Sequence, residues 1–76
     1  MNRIISLNPG DKAVVERYAQ GMDRAYKLKL LALGLTKGTE FTLVKTSPFG
    51  DPIEIELRGY RLSLRRHEAE GVLCSQ

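Results

Sequence analysis

The sequence predicts a mainly β fold: a small, partly open barrel of about five strands, with one helix inserted between the first and second. Three observations carry this. Ile53–Leu57 alternates apolar and acidic residues, the period of a strand with one wet face. Gly and Pro punctuate the chain at short intervals, so strands must be short and turns frequent. One stretch, Arg24–Leu33, is free of Gly, Pro and β-branched residues and rich in Leu, Lys, Ala and Arg, the composition of a helix.

The elements follow in order. Pro9-Gly10-Asp11 is a turn, and Lys12–Tyr18 (KAVVERY) reads as the first strand. Asp23 is placed to cap the helix, because its carboxylate can accept from free first-turn amides. Gly34 suits the left-handed position after the last turn, with Leu35 folding back onto Leu30. The helix is therefore expected over residues 24–33, about three turns. Gly38 ends another turn, and Glu40–Thr46 is the second strand. In TSPFGDP (46–52), Pro48 and Pro52 fix their own φ and push the preceding residues out of helix. Gly50 can supply a left-handed angle, and Asp51 is expected to bond to local amides, which makes a rigid hairpin tip. Ile53–Leu57 is the third strand. Gly59-Tyr60 fits a type II′ turn that would pair Leu57 with Leu62, Ile55 with Leu64 and Glu54 with Arg65. Residues 66–71 read as a short helical turn, and Val72–Ser75 as the last strand. Parity places Phe41 and Leu43 on the face of Ile55 and Leu57. PGDKAVVE and KGTEFTLV echo each other as two similar turn-to-strand starts. Together these elements fit an SH3-like barrel in a single domain, residues 1–76.

Bulk properties narrow the function. A chain of 76 residues buries only about 60% of its unfolded surface, so its core is thin. The lone Cys74 excludes an internal disulfide and points to a reducing, cytosolic setting. The first ten residues are too short in apolar character for a signal peptide, and the longest apolar run, Leu30–Leu33, is far below the roughly 20 residues of a membrane helix. The net charge of +3 permits weak attraction to nucleic acid or lipid headgroups without requiring it.

Catalysis finds no support. His67 is the only histidine, no nucleophile is cued beside it, and no phosphate-cradling glycine loop is present, so no cofactor is expected. Glu54 and Glu56 share a strand face but read as its wet side. His67, Glu68, Glu70 and Cys74 lie close in sequence yet match no ligand spacing, so no metal site is expected. Tyr18, Tyr26, Phe49 and Tyr60 could serve a nucleic-acid surface with Arg58, Arg61, Arg65 and Arg66. They do not alternate on one strand face, so nucleic acid is not an expected partner. The helix is more informative. Leu28, Leu31, Ala32 and Leu35 form one apolar stripe, and Tyr26, Leu30 and Leu33 a second. So thin a core can hardly cover both: either helix and barrel wrap both, with lysine stems covering the margin, or one stripe is left for a partner or for a second copy of the chain.

The stretch KLLALGLTKGTEFTLVKTSPFGDPIEIELRGYRLSLRR resembles the FeoA family, small cytosolic proteins of bacterial ferrous iron transport. The resemblance rests on Leu33-Gly34-Leu35 with Gly38, on Gly50-Asp51-Pro52, and on Leu62, Leu64 and Arg65, and it covers about residues 8 to 75. Lys37 stands where the family often has Pro, which implies a softer turn. The resemblance implies an SH3-like barrel and a non-enzymatic accessory role at the cytoplasmic side of the ferrous iron permease FeoB, with the membrane reached only through that partner. The C-terminal module of iron-dependent repressors is similar too, which supplies an alternative: a regulatory module whose Tyr18, Phe49 and Tyr60 would hold a proline-rich peptide. With the resemblance, the expected contact surface is Tyr26, Leu30, Leu31, Leu33 and Leu35 on the helix, with Pro48, Phe49 and Gly50 at the tip. Lys27, Lys29 and Lys37 would steer it toward an acidic partner.

Overall fold

The computed structural model describes residues 2–76. It contains six strands, β1 (Asn2–Arg3), β2 (Lys12–Tyr18), β3 (Glu40–Thr46), β4 (Ile53–Leu57), β5 (Tyr60–Leu64) and β6 (Val72–Ser75). They form one antiparallel sheet in the order β1-β6-β2-β3-β4-β5. Helix α1 (Arg24–Ala32) joins β2 to β3, α2 (Arg66–Ala69) joins β5 to β6, and a 3-10 turn covers Ile4–Ser6. This is the expected SH3-like arrangement with one strand more. The extra strand is two residues long and exists through its pairing with β6, some 70 residues away in the chain, so no local pattern announces it.

The core is one cluster. Phe41 and Leu43 of β3, Ile53, Ile55 and Leu57 of β4, and Leu64 of β5 face inward with Val15, Val72, Cys74, Leu30 and Leu35. The parity expected for β3 and β4 therefore holds. The two echoed turns also have a structural meaning. The Gly10 amide donates to the Leu43 carbonyl and the Leu43 amide to Asp11, while the Gly38 amide donates to Val15 and the Val15 amide to Thr39. Each turn thus satisfies the backbone of the other turn's strand.

Helix α1 begins and ends for the expected reasons. Asp23 Oδ1 accepts from the Ala25 amide at 2.8 Å. At the other end Gly34 has φ +106°, its amide donates to Leu31, and the Leu35 amide donates to Leu30, the paired bonds of a Schellman motif. Two tyrosine hydroxyls complete this end: Tyr18 donates to the Leu35 carbonyl at 2.7 Å, and Tyr60 to the Leu33 carbonyl. Leu33 is the C-cap, where a helix leaves its carbonyl without a partner, and Leu35 lies two residues beyond it.

The β4–β5 hairpin corrects the expected register. The loop is Arg58-Gly59, not Gly59-Tyr60, and both residues have positive φ, 50° and 83°, as a type I′ turn requires. Leu57 pairs with Tyr60, Ile55 with Leu62, Ile53 with Leu64 and Glu54 with Ser63. The pairing moves by two residues, which keeps every side chain on its expected face. The sequence favoured the wrong turn because Arg58 has to adopt a left-handed φ that a non-glycine residue seldom takes.

Candidate interaction surface

The surface is organised by α2. Glu68 is buried there; its Oε1 accepts from the Arg65 amide at 3.0 Å and its Oε2 from Lys29 Nζ of α1 at 2.7 Å. The hydrogen bond from Lys29 holds the Glu68 carboxyl below the ordinary carboxylate range, against the opposing effect of burial. On the same side the Tyr26 ring meets the His67 ring, centroids 5.0 Å apart and tilted by 50°. At its start α2 also holds the β3–β4 tip: Asp51 Oδ1 accepts from the Arg66 amide at 3.1 Å and lies 3.7 Å from the Arg65 guanidinium. Asp51 thus reaches across to α2, where a bond within its own turn was expected. The tip is closed by bonds from Gly50 to the Ser47 carbonyl and from Ser47 to the Pro52 carbonyl. One continuous run, Tyr26–His67–Arg66–Asp51, therefore connects α1 to the tip.

The expected contact residues divide. Phe49 is 93% exposed at the tip, flanked by exposed Pro48 and half-buried Gly50. Tyr26 is 36% exposed, and Leu31 and Leu33 are half-buried. Leu30 and Leu35 belong to the core and are 0% exposed, so neither can be a docking residue. Neither stripe turns wholly one way: Leu30 is buried while Tyr26 of its stripe is exposed, and Leu35 is buried while Leu28 of its stripe is 53% exposed, between exposed Ala25 and Ala32. Leu28, legible in the sequence as part of an apolar stripe, is not in the expected contact surface. Both stripes are apolar, and only packing against β-strands distant in sequence decides which of their residues turn outward. Of the lysines, Lys27 and Lys37 are exposed, and Lys27 Nζ lies 5.8 Å above the Tyr18 ring. Lys29 is bound to Glu68, so its charge is neutralised within the molecule instead of steering a partner.

A shallow cleft of about 300 Å³ adjoins this run, between Arg3, the 19–23 loop, Tyr26, His67 and Glu70. The other sequence candidates disperse. Glu68 is committed to Lys29, and Cys74 is buried in the core, where burial raises its thiol pKa. Among the described residues no three His, Cys, Asp or Glu converge as metal ligands. Arg61 lies 3.5 Å from both Glu54 and Glu56, Arg65 is held by Asp51, Arg66 lies 3.7 Å from Glu70, and Arg58 donates to Thr39. Three of the late arginines are thus engaged by local acids and the fourth by a threonine, and they do not form one open basic stripe. Of the three aromatics considered for a peptide groove, Tyr18 and Tyr60 are tied by their hydroxyls to the end of α1.

The family model for the FeoA domain matches residues 3–76. The chain belongs to the FeoA domain family. A curated relative, the Fe(2+) transport protein A/Fe(2+) transporter FeoB fusion protein of Porphyromonas gingivalis, is 33% identical over 67 residues. That match takes in 88% of this chain but 8% of the fusion protein's length. Among solved structures, the FeoA protein of Chlorobium tepidum is 36% identical with a TM-score of 0.85, over 96% of this chain and 68% of that one. The zinc complex of Stenotrophomonas maltophilia FeoA, described as a prokaryotic SH3 domain protein, is 28% identical with a TM-score of 0.84, over 99% and 91% of the two chains. IdeR of T. acidophilum superposes with a TM-score of 0.82 at 18% identity, over 97% of this chain and 33% of that one, a likeness of fold alone. The FeoA motifs now have physical roles: Leu-Gly-Leu builds the Schellman end of α1, and Gly-Asp-Pro anchors the tip to α2.

Proposed function

We propose that this FeoA domain is a non-catalytic interaction module of ferrous iron uptake that docks on the cytoplasmic face of a FeoB-type permease and modulates it. The observation that carries the reading is the Porphyromonas gingivalis relative, in which a homologous domain and FeoB are one polypeptide. The surface supports it. Phe49 is held out on a tip braced by α2, and Leu28 stands out from a helix that has three basic residues and no acidic one. Burying an exposed Phe or Leu side chain contributes about 1.5–3 kcal/mol, so these two residues suffice as anchors. The contact surface is Tyr26, Leu28, Leu31 and Leu33 with Pro48, Phe49 and Gly50, and Lys27 and Lys37 steer it toward an acidic partner. Among the described residues no helix is long and apolar enough to cross a membrane; in this reading the permease supplies the contact with the membrane.

An amide-shift titration of labelled protein with detergent-solubilised permease tests the reading, with empty micelles as control. Loss of signal centred on residues 26–33 and 48–52, absent with empty micelles, is the expected result. Equal perturbation by empty micelles means that the surface responds to apolar chains in general, and the docking reading fails.

A further inference from the structure

The sheet ends at β5, which pairs only with β4. The phase of that hairpin determines which backbone groups are left over. In a two-residue hairpin the pair flanking the loop, Leu57 and Tyr60, exchanges both hydrogen bonds, and bonded pairs then alternate along the strands. Ile55–Leu62 and Ile53–Leu64 are therefore bonded pairs. The N–H and C=O groups of Arg61 and Ser63 point away from β4, along the open edge. Both residues are exposed. An open edge is ordinarily guarded by a charged side chain lying across it. Here Arg61 is drawn back over the outer face of the sheet, 3.5 Å from Glu54 and 3.5 Å from Glu56.

We infer that the β5 edges of two copies of this chain pair about a twofold axis, with Arg61 opposite the partner's Ser63. Charge selects this register. Centring the pair on Arg61 sets the two guanidiniums against each other, and centring it on Ser63 sets Arg61 against the partner's Arg65; like charges directly opposite are destabilising. With Arg61 facing Ser63 the outer face reads Glu56, Arg61, then the partner's Ser63 and Glu54, with each cation between acids. On the other face half-buried Leu62 meets its symmetry mate, flanked by Tyr60, 42% exposed. About four backbone hydrogen bonds join the edges, and the two sheets become one. The opposite edge, β1, is two residues long and offers no comparable ladder. The paired edge residues, Arg61, Leu62 and Ser63, are not among the docking residues proposed on α1 and the tip.

Sedimentation equilibrium of the full chain, taken up to on the order of 1 mM because so small an interface is weak, tests the inference together with amide exchange at the two ends of that range. The expected result is a monomer–dimer equilibrium in which the Arg61 and Ser63 amides exchange at least about tenfold more slowly at high concentration. Ser63→Pro removes an outward N–H that β4 does not use, so it should be monomeric with native far-UV circular dichroism. Arg61→Glu, which leaves the backbone intact and places an acid beside Glu54 and Glu56, should be monomeric too and covers the case in which proline disturbs the strand. A monomer throughout the range, or a dimer whose Arg61 and Ser63 amides stay unprotected, overturns the inference. Protection that appears only when the permease is added also overturns it, because the edge then serves a different chain.

Discussion

At the residue scale, the end of α1 depends on Gly34 and two tyrosines. A Cβ on Gly34 would lie 2.9 Å from the Tyr60 hydroxyl, and φ is +106° there, so Gly34→Ala meets both a steric and a backbone penalty. We expect a loss of about 2 kcal/mol or more in urea unfolding. In a Tyr60→Phe background the steric part should shrink while the backbone part persists, which a double-mutant cycle resolves. Tyr18 gives a pH signature. Burial pushes its phenol from 10.0 up to about 12. Its folded pKa is raised, so the stability it lends is fully present below pH 10 and is lost as pH rises from 10 toward 12. At pH 11, midway through that window, unfolding should raise phenolate absorbance by the contribution of Tyr18, and this part should be absent in Tyr18→Phe. Tyr18→Phe should flatten that alkaline loss at a cost of about 1 kcal/mol; an unchanged alkaline profile would sink the assignment.

At the scale of elements, α1 is fastened to α2 by Lys29–Glu68 and by the contact of Tyr26 with His67. The Glu68 carboxyl is depressed in the folded state, chiefly by the hydrogen bond from Lys29. Its contribution is therefore present above the ordinary carboxylate pKa and is lost as pH falls through the depressed folded value. Glu68→Gln should cost about 1–3 kcal/mol at neutral pH, weaken the acid dependence, and speed amide exchange in α1 before it does so in the sheet. Equal acceleration in both would mean that the pair supports the whole fold rather than the helix. The sequence showed the ends of α1, because Asp23 and Gly34 act on adjacent residues, and it showed β4 through its alternation. It did not show the Lys29–Glu68 pair, which joins residues 39 apart in the chain. Nor did it show the β4–β5 register, where Arg58 adopts a left-handed conformation against its residue type. The candidate site was legible at the tip, where prolines and glycine dictate exposure, and was misread on the helix, where two apolar stripes compete for one small core.

For the whole molecule, that competition separates docking from folding. Leu30 lies in the single core cluster at 0% exposure, whereas Leu28 on the same helix is 53% exposed. Leu30→Asp would bury a carboxylate without a partner at a cost of several kcal/mol. That approaches the roughly 5 kcal/mol at the low end of domain stability, so the variant should unfold. Leu28→Asp places the same charge in water and should change stability by no more than about 0.5 kcal/mol. If the permease binds this face, Leu28→Asp and Phe49→Ser should each weaken capture by detergent-solubilised permease about tenfold or more, as anchors do, with native circular dichroism and unchanged urea midpoints. Loss of binding in Leu30→Asp alone would report only unfolding. Wild-type capture by both surface variants would remove the α1 face and the tip from the interface, and would direct the search to the cleft beside His67 and Arg3.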